Sequence, residues 1–215
     1  MPNFVLFGAP GAGKGTLAGK IKKFSPIAHI STGDLFRYNI KEGTPIGKEA
    51  KSYIDAGKLV PDSVVIGMVK DRIALDDVKE HGFMLDGFPR TLDQAKALNE
   101  IAKLDVVVVL DIAKEDLKKR ILGRWSCPKC GEIYNIYNDE LKPKVEGKCD
   151  KCEDTNLTHR SDDNEETFEK RWNTYLSQSE EVINYYDKTE GLVGRVDGTR
   201  TMSYTEDELR KILKL

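Results

Sequence analysis

The run Gly8-Ala9-Pro10-Gly11-Ala12-Gly13-Lys14-Gly15-Thr16 follows an apolar stretch and precedes a helical pattern. Between a strand and a helix, such glycines let successive backbone N–H groups converge on phosphate oxygens. The helix N-terminus adds partial positive charge and the lysine a full one. Gly15 occupies the position where these loops usually carry a magnesium-binding hydroxyl, and Thr16 comes one residue later. Magnesium is therefore expected to be held by nucleotide phosphates and water, with Asp86 orienting that water. This is not the usual GTPase arrangement.

Two C-x-x-C pairs form a second constellation, Cys127-Pro128-Lys129-Cys130 and Cys149-Asp150-Lys151-Cys152, with 18 residues between them. Two knuckles separated by a hairpin-forming spacer match the spacing of a structural zinc site, and four thiolates leave no coordination position for a substrate. Iron fits the same ligands. The segment Trp125-Ser126-Cys127-Pro128-Lys129-Cys130 resembles a redox motif, but the second pair favours a metal. The spacer carries an apparent insertion around Asp139 to Leu141. Arg120 and Arg124, four residues apart at the end of a helical pattern, are expected to share a face.

These residues need a scaffold. Phe4 to Phe7, Ile27 to Ser31, Phe83 to Asp86, Val106 to Leu110 and Leu192 to Val196 read as five buried strands. The Val106 to Leu110 run shows no polar alternation, so both of its faces must be covered, as in a parallel sheet between two helix layers. Helical patterns occupy Gly15 to Phe24, Asp34 to Ala56, Asp62 to Asp76, Leu92 to Lys103, Glu115 to Arg124 and about Ser161 to Thr189. Asp34 to Val60 is too long for one crossover helix, and Gly43, Pro45 and Gly57, with Pro61 at its end, mark it as a small helical excursion from the sheet. Glu132 to Tyr137 reads as a hairpin arm.

The chain has 215 residues, is 39% hydrophobic and carries a net charge of −2. That is enough for one core with insertions, and too little positive charge for nucleic-acid binding driven by bulk electrostatics. The opening MPNFVLF lacks the basic region of a signal peptide, and no apolar run approaches the ~18 residues of a membrane span. A soluble cytoplasmic protein is expected, without nucleic-acid or membrane partners. His29, His81 and His159 are assigned ordinary structural or solvent roles, and Val182, Ile183, Tyr185 and Tyr186 are assigned to helix packing.

The glycine loop, then Ser31-Thr32-Gly33-Asp34-Leu35-Phe36-Arg37, then Leu85-Asp86-Gly87-Phe88-Pro89-Arg90-Thr91 with Gln94, together resemble adenylate kinases of bacterial type, in the long form whose lid binds zinc. The resemblance continues through Arg120, Arg124, the cysteines, Arg160 to Glu165 and Val196 to Arg200. It implies the P-loop nucleoside-monophosphate kinase fold, an α/β fold with a five-stranded parallel sheet and helices on both faces. The implied domains are a core of residues 1–30, 61–123 and 162–215, a monophosphate-binding domain of residues 31–60 and a zinc-bearing lid of residues 124–161.

The implied reaction is magnesium-dependent transfer between ATP and AMP, giving ADP, in a monomer. Residues matching the family's ATP contacts are Gly11, Ala12, Gly13, Lys14, Gly15, Thr16, Arg120, Arg124, Ile133, Tyr134 and Arg200. On the AMP side they are Thr32, Arg37, Lys58, Leu59, Val60, Gly87, Phe88, Pro89, Arg90 and Gln94, joined by Arg160 and Arg171 when the lid closes. Lys14, Arg90, Arg124, Arg160 and Arg171 would serve catalysis, and the cysteines would hold structural zinc. Arginine suits this work because its planar, permanently charged fork grips phosphate at two points. A zinc-ribbon nucleic-acid binder with an ATPase core, and a kinase for UMP, CMP or GMP, are the competing readings.

Overall fold

A computed structural model of the protein describes residues 2–56, 58–152 and 155–215. Gly57, one of the breakers noted above, lies outside the described residues. The strands are β1 (Asn3–Gly8), β2 (Ala28–Ser31), β3 (Phe83–Asp86), β4 (Val106–Asp111), β5 (Arg124–Ser126), β6 (Ile133–Asn135) and β7 (Val193–Asp197). Helices α1 (Lys14–Ile21), α2 (Thr32–Lys41), α3 (Pro45–Asp55), α4 (Asp62–Ile73) and α5 (Asp76–His81) lie in the first half. They are followed by α6 (Leu92–Ile101), α7 (Lys114–Leu122), α8 (Glu165–Asp187) and α9 (Glu206–Leu213).

Five strands form one parallel sheet in the order β2-β3-β1-β4-β7. The side chains of β4 explain why its sequence does not alternate. Val106, Val108 and Leu110 join Leu17, Ile21, Leu117, Phe168 and Leu209 on one face. Val107 and Val109 join Val65, Val69, Leu98 and Val182 on the other. Because every strand points the same way, Gly8, Ser31 and Asp86 all end at one edge, beside the point where the strand order reverses. Open α/β sheets bind ligands at such a place.

The helical excursion that begins at Asp34 consists of two helices. α2 ends before Gly43, and Thr44 caps α3 by accepting from the Gly47 N–H, with Pro45 in the first turn. The pattern from Asp62 to Asp76 likewise stops at Ile73, and α5 follows. α9 was not anticipated, although Thr205 and Glu208 form a reciprocal capping box at its start.

Arg124 departs from the sequence reading. α7 ends at Leu122, and Gly123 lies so close to the returning arm that a Cβ there would come within 2.5 Å of both Asn135 Oδ1 and Tyr137 Cδ2. The Ile136 N–H donates to the Gly123 carbonyl at 2.9 Å, locking the hairpin onto the helix end. Arg124 therefore opens β5, paired antiparallel with β6, and shares no helix face with Arg120. Ser126 also pairs with Thr158, so the chain leaving the cysteine segment returns along the same hairpin. Among the described residues, no helix is long and apolar enough to cross a membrane.

Candidate active site

The loop after β1 closes into α1 at Gly13, whose φ of 94° lies in the left-handed region, and a Cβ there would meet Thr201 Oγ1 at 2.7 Å. Glycine is thus required twice over, by conformation and by space. Thr201 and Met202 are held against the loop because Lys20 Nζ on α1 donates to the carbonyls of Met202 and Tyr204. Lys14 Nζ donates to the carbonyls of Gly8 (2.9 Å) and Ala9 (3.1 Å) and lies 4.0 Å from Asp86 Oδ1.

One cleft runs along this loop. Gly11, Gly13, Lys14, Gly15 and Thr16 form its floor, and Arg120, Arg124, Ile133, Arg160, Thr201 and Met202 its walls. Asn135, Asn138 and Leu141 from the hairpin complete it. Sequence reasoning did not assign these three, nor Thr201, because none sits in a motif and the hairpin's closure on α7 brings them there. Ala12 is fully buried, and only its carbonyl faces this region, accepting from Arg120 (3.3 Å). The Arg120 guanidinium also donates to the carbonyl of Gly198 (2.9 Å).

A second cavity opens between α2, α4 and α6. Thr32, Arg37, Lys58, Leu59, Val60, Gly87, Phe88, Pro89, Arg90 and Gln94 line it, with Arg171, Thr174 and Tyr175 contributed by α8. The Thr32 hydroxyl donates to the Gly87 carbonyl (3.0 Å), tying the start of α2 to the chain leaving β3. Lys14, Arg37, Gly87, Arg90 and Arg171 line both spaces, so the two cavities meet there.

Two residues expected at the ATP side point elsewhere. The Tyr134 side chain is buried among the cysteines, where its hydroxyl donates to Cys149 Sγ (3.5 Å) and accepts from the Asp150 N–H (2.7 Å). Burial in the small core around the cysteines accounts for this. The Arg200 guanidinium is held by Glu208 Oε1 at 2.8 Å and lies over the Tyr204 ring. α9, missing from the sequence reading, supplies that carboxylate.

Carboxylates hold the arginines in place. Arg37 pairs with Asp34 (2.5 Å), Arg171 with Asp162 (2.6 Å), and Arg124 with Asp163 through both Nε (2.7 Å) and a terminal nitrogen. Asp162 and Asp163 lie in the stretch Arg160 to Glu165, and their role as counter-ions becomes visible once α8 brings Arg171 beside Asp162 and β5 brings Arg124 beside Asp163. Burial lowers Lys14 to about 8, against the pull of Asp86. Loss of hydration between the cleft walls, then neighbouring arginines, lowers Arg90 and Arg160 to about 10, although Arg90 keeps part of its surface exposed. These cations lie close enough to repel one another, which favours a polyanion among them.

The four cysteine sulfurs lie within 4.8 Å of one another, with Cys130 and Cys149 3.7 Å apart. A tetrahedral zinc site with Zn–S bonds of about 2.3 Å places its sulfurs about 3.8 Å apart, so these residues fit zinc. Cys127, Tyr134, Cys149 and Leu157 form a small core of their own. Of the histidines, His29 Nε2 lies 3.8 Å from Asp86 Oδ2, and His159 packs on the Trp125 ring.

A family model described as adenylate kinase matches residues 6–191. The adenylate kinase of Staphylococcus aureus is 46% identical over 216 residues, with 98% of each chain covered. That of Thermodesulfovibrio yellowstonii is 47% identical over 215 residues, again with 98% of each covered. That of Clostridium botulinum is 48% identical over 214 residues, with 97% of each covered.

The counter-ions generate a pH dependence. Burial opposes ionisation of Asp34, Asp86 and Asp162, yet all three are held below the ordinary carboxylate range. Burial is the largest single influence at each, and the attractions that together outweigh it are led by Arg37 at Asp34, by His29 and Lys14 at Asp86, and by Arg171 and Arg124 at Asp162. A carboxyl whose folded value is depressed contributes stability that is present above its unfolded value, near pH 4, and is lost as pH falls through the folded one. Asp162→Asn should therefore lower the urea midpoint at pH 7, with the gap to the native protein closing below about pH 4. A gap of constant size from pH 7 to pH 3 would contradict this assignment.

Proposed function

The chain belongs to the adenylate kinase family, which moves the terminal phosphoryl group of ATP reversibly onto AMP to give two ADP, and on that premise we propose how its residues divide the work. One observation carries the reading: the loop cleft and the second cavity meet at Lys14, Arg90 and Arg171. A donor whose phosphates lie on the loop and an acceptor whose phosphate lies by Arg37 and Arg90 would face each other there, as in-line transfer requires.

Gly11 to Thr16 offer backbone N–H groups to the ATP phosphates, and Lys14 exchanges its loop carbonyls for phosphate oxygens. Arg120 and Ile133 bound the nucleoside, while Arg124 faces the phosphates. Arg37, Arg90, Arg160 and Arg171 neutralise the AMP phosphate and the charge on the transferring group. Val60, Lys58, Leu59 and Gln94 enclose the adenine of AMP. The attacking group is the AMP phosphate itself, so no side chain acts as a covalent nucleophile. Nucleotide phosphates and water within reach of Asp86 would hold magnesium, which would supply neutralisation of phosphate charge.

Residues 31–60 and 124–161 act as moving parts against the core of residues 1–30, 61–123 and 162–215. The Ser161 hydroxyl reaches Asp55 Oδ1 of α3 at 3.4 Å, a contact that supports closure of the two parts on each other. Closure gathers the arginines and excludes the water that would otherwise hydrolyse ATP. Zinc on Cys127, Cys130, Cys149 and Cys152 would supply cohesion to a segment with little apolar core of its own.

A coupled assay of ADP formation tests the reading. AMP should exceed UMP, CMP and GMP in kcat/KM, and a folded Lys14→Met enzyme should lose about 10²-fold or more in kcat. Better turnover of another monophosphate, or a Lys14→Met enzyme with native kcat, would overturn it. Zinc is tested separately by Cys149→Ser combined with Cys152→Ser. This variant should lose stoichiometric metal and melt several degrees lower, while kcat well below the melting midpoint falls no more than about tenfold. Unchanged stability with catalysis lost by orders of magnitude would assign the metal a chemical role.

A further inference from the structure

Asp62, the first residue of α4, touches neither cavity, yet both of its carboxylate oxygens are engaged beside the second one. Oδ1 accepts from Gln94 Nε2 at 2.7 Å, and Oδ2 accepts from the Thr91 hydroxyl at 2.6 Å. On the other side of the Gln94 amide, Oε1 accepts from the Arg90 backbone N–H at 2.8 Å. Gln94 is only 2% exposed, and what exposure it has faces the cavity. Thr91 also accepts from the Gln94 N–H at 3.2 Å, which closes a ring through the cap of α6.

This ring fixes which way the amide faces. A carboxylate accepts and a backbone N–H donates, so an amide turned by 180° would set its oxygen against Asp62 and its NH₂ against the Arg90 N–H. Two partly buried hydrogen bonds would be exchanged for two repulsions. One N–H and one Oε1 lone pair then remain for a ligand, in a fixed order. The Watson–Crick edge of a 6-aminopurine sets a donor at position 6 beside an acceptor at position 1, and matches that order. A 6-oxopurine presents an acceptor at position 6 and a donor at position 1, and needs the turned amide.

We propose that Asp62 is a specificity-determining positioning residue: by locking the Gln94 amide, it makes the monophosphate cavity accept a 6-aminopurine and refuse a 6-oxopurine. The inference rests on the reading that this cavity holds AMP and adds the residue that enforces the choice of base. It requires no contact between Asp62 and the substrate.

Inosine monophosphate is the probe, because it matches AMP in shape and differs at positions 1 and 6. The native enzyme should turn over AMP with much higher kcat/KM than inosine monophosphate. In Asp62→Asn, whose amide can donate to a turned Gln94 Oε1, and in Asp62→Ala, which leaves that side unconstrained, the ratio should fall by about tenfold or more. The change should appear in the KM for the monophosphate, with the KM for ATP unmoved. Thr205→Ala, which removes the distant cap of α9, should lower stability and leave the ratio intact. Either folded Asp62 variant with the native ratio would overturn the proposal, as would a native enzyme that uses the two monophosphates equally. A native enzyme inactive on AMP would instead sink the functional reading, and the amide lock with it.

Discussion

Mutual repulsion among cations crowded into one cleft is the constraint that the rest of this structure accommodates. Lys14, Arg90 and Arg171 line the junction of two cavities, with Arg37, Arg124 and Arg160 close by. Burial costs each of them hydration, and their neighbours raise that cost, which is why Lys14, Arg90 and Arg160 all bind their protons less tightly than usual. Asp34, Asp162 and Asp163 offset part of the repulsion, each pairing with one arginine, and the loop carbonyls hold Lys14. Phosphate chains would offset much more of it. The net charge of −2 shows that such a cluster needs no basic protein, only local concentration.

The parallel sheet makes that concentration possible. Gly8, Ser31 and Asp86 leave neighbouring strands at the same edge, so three motifs far apart in sequence become adjacent. The arginines come from different elements: Arg37 from α2, Arg90 from the chain after β3, Arg124 from β5 and Arg171 from α8. Segments that do not belong to the sheet supply the remaining walls. Each is organised locally, by the Thr44 cap at α3 and by the cysteine cluster in the hairpin.

Much of this was legible because the signals were local or strongly patterned. The unbroken valines of β4 demanded two covered faces, and the glycine loop lay between a strand and a helix. The failures came where distant packing decided. Helical periodicity continues through Arg124, but a hairpin returning against Gly123 ends the helix two residues earlier. Sequence likewise could not show the side-chain partners of Tyr134 and Arg200, which are Cys149 and Glu208 and are set by tertiary contacts. Asp62 at a helix start, and Asp162 and Asp163 within the stretch Arg160 to Glu165, show no partner in the sequence, because the amide or guanidinium opposite each one comes from another element. The capping box of α9 is a local signal that lies beyond Val196 to Arg200, the last stretch that resembles the family.

The central claim is that two phosphate chains meet end to end in one continuous cationic site. The most direct measurement is calorimetric titration with a single molecule that joins two adenosines through five phosphates, which spans both cavities if they are continuous. The account expects one molecule bound per chain, at least about 10²-fold more tightly than ATP or AMP alone, because the second half binds as an intramolecular event. Two molecules per chain, or an affinity no better than that of ATP, would contradict it.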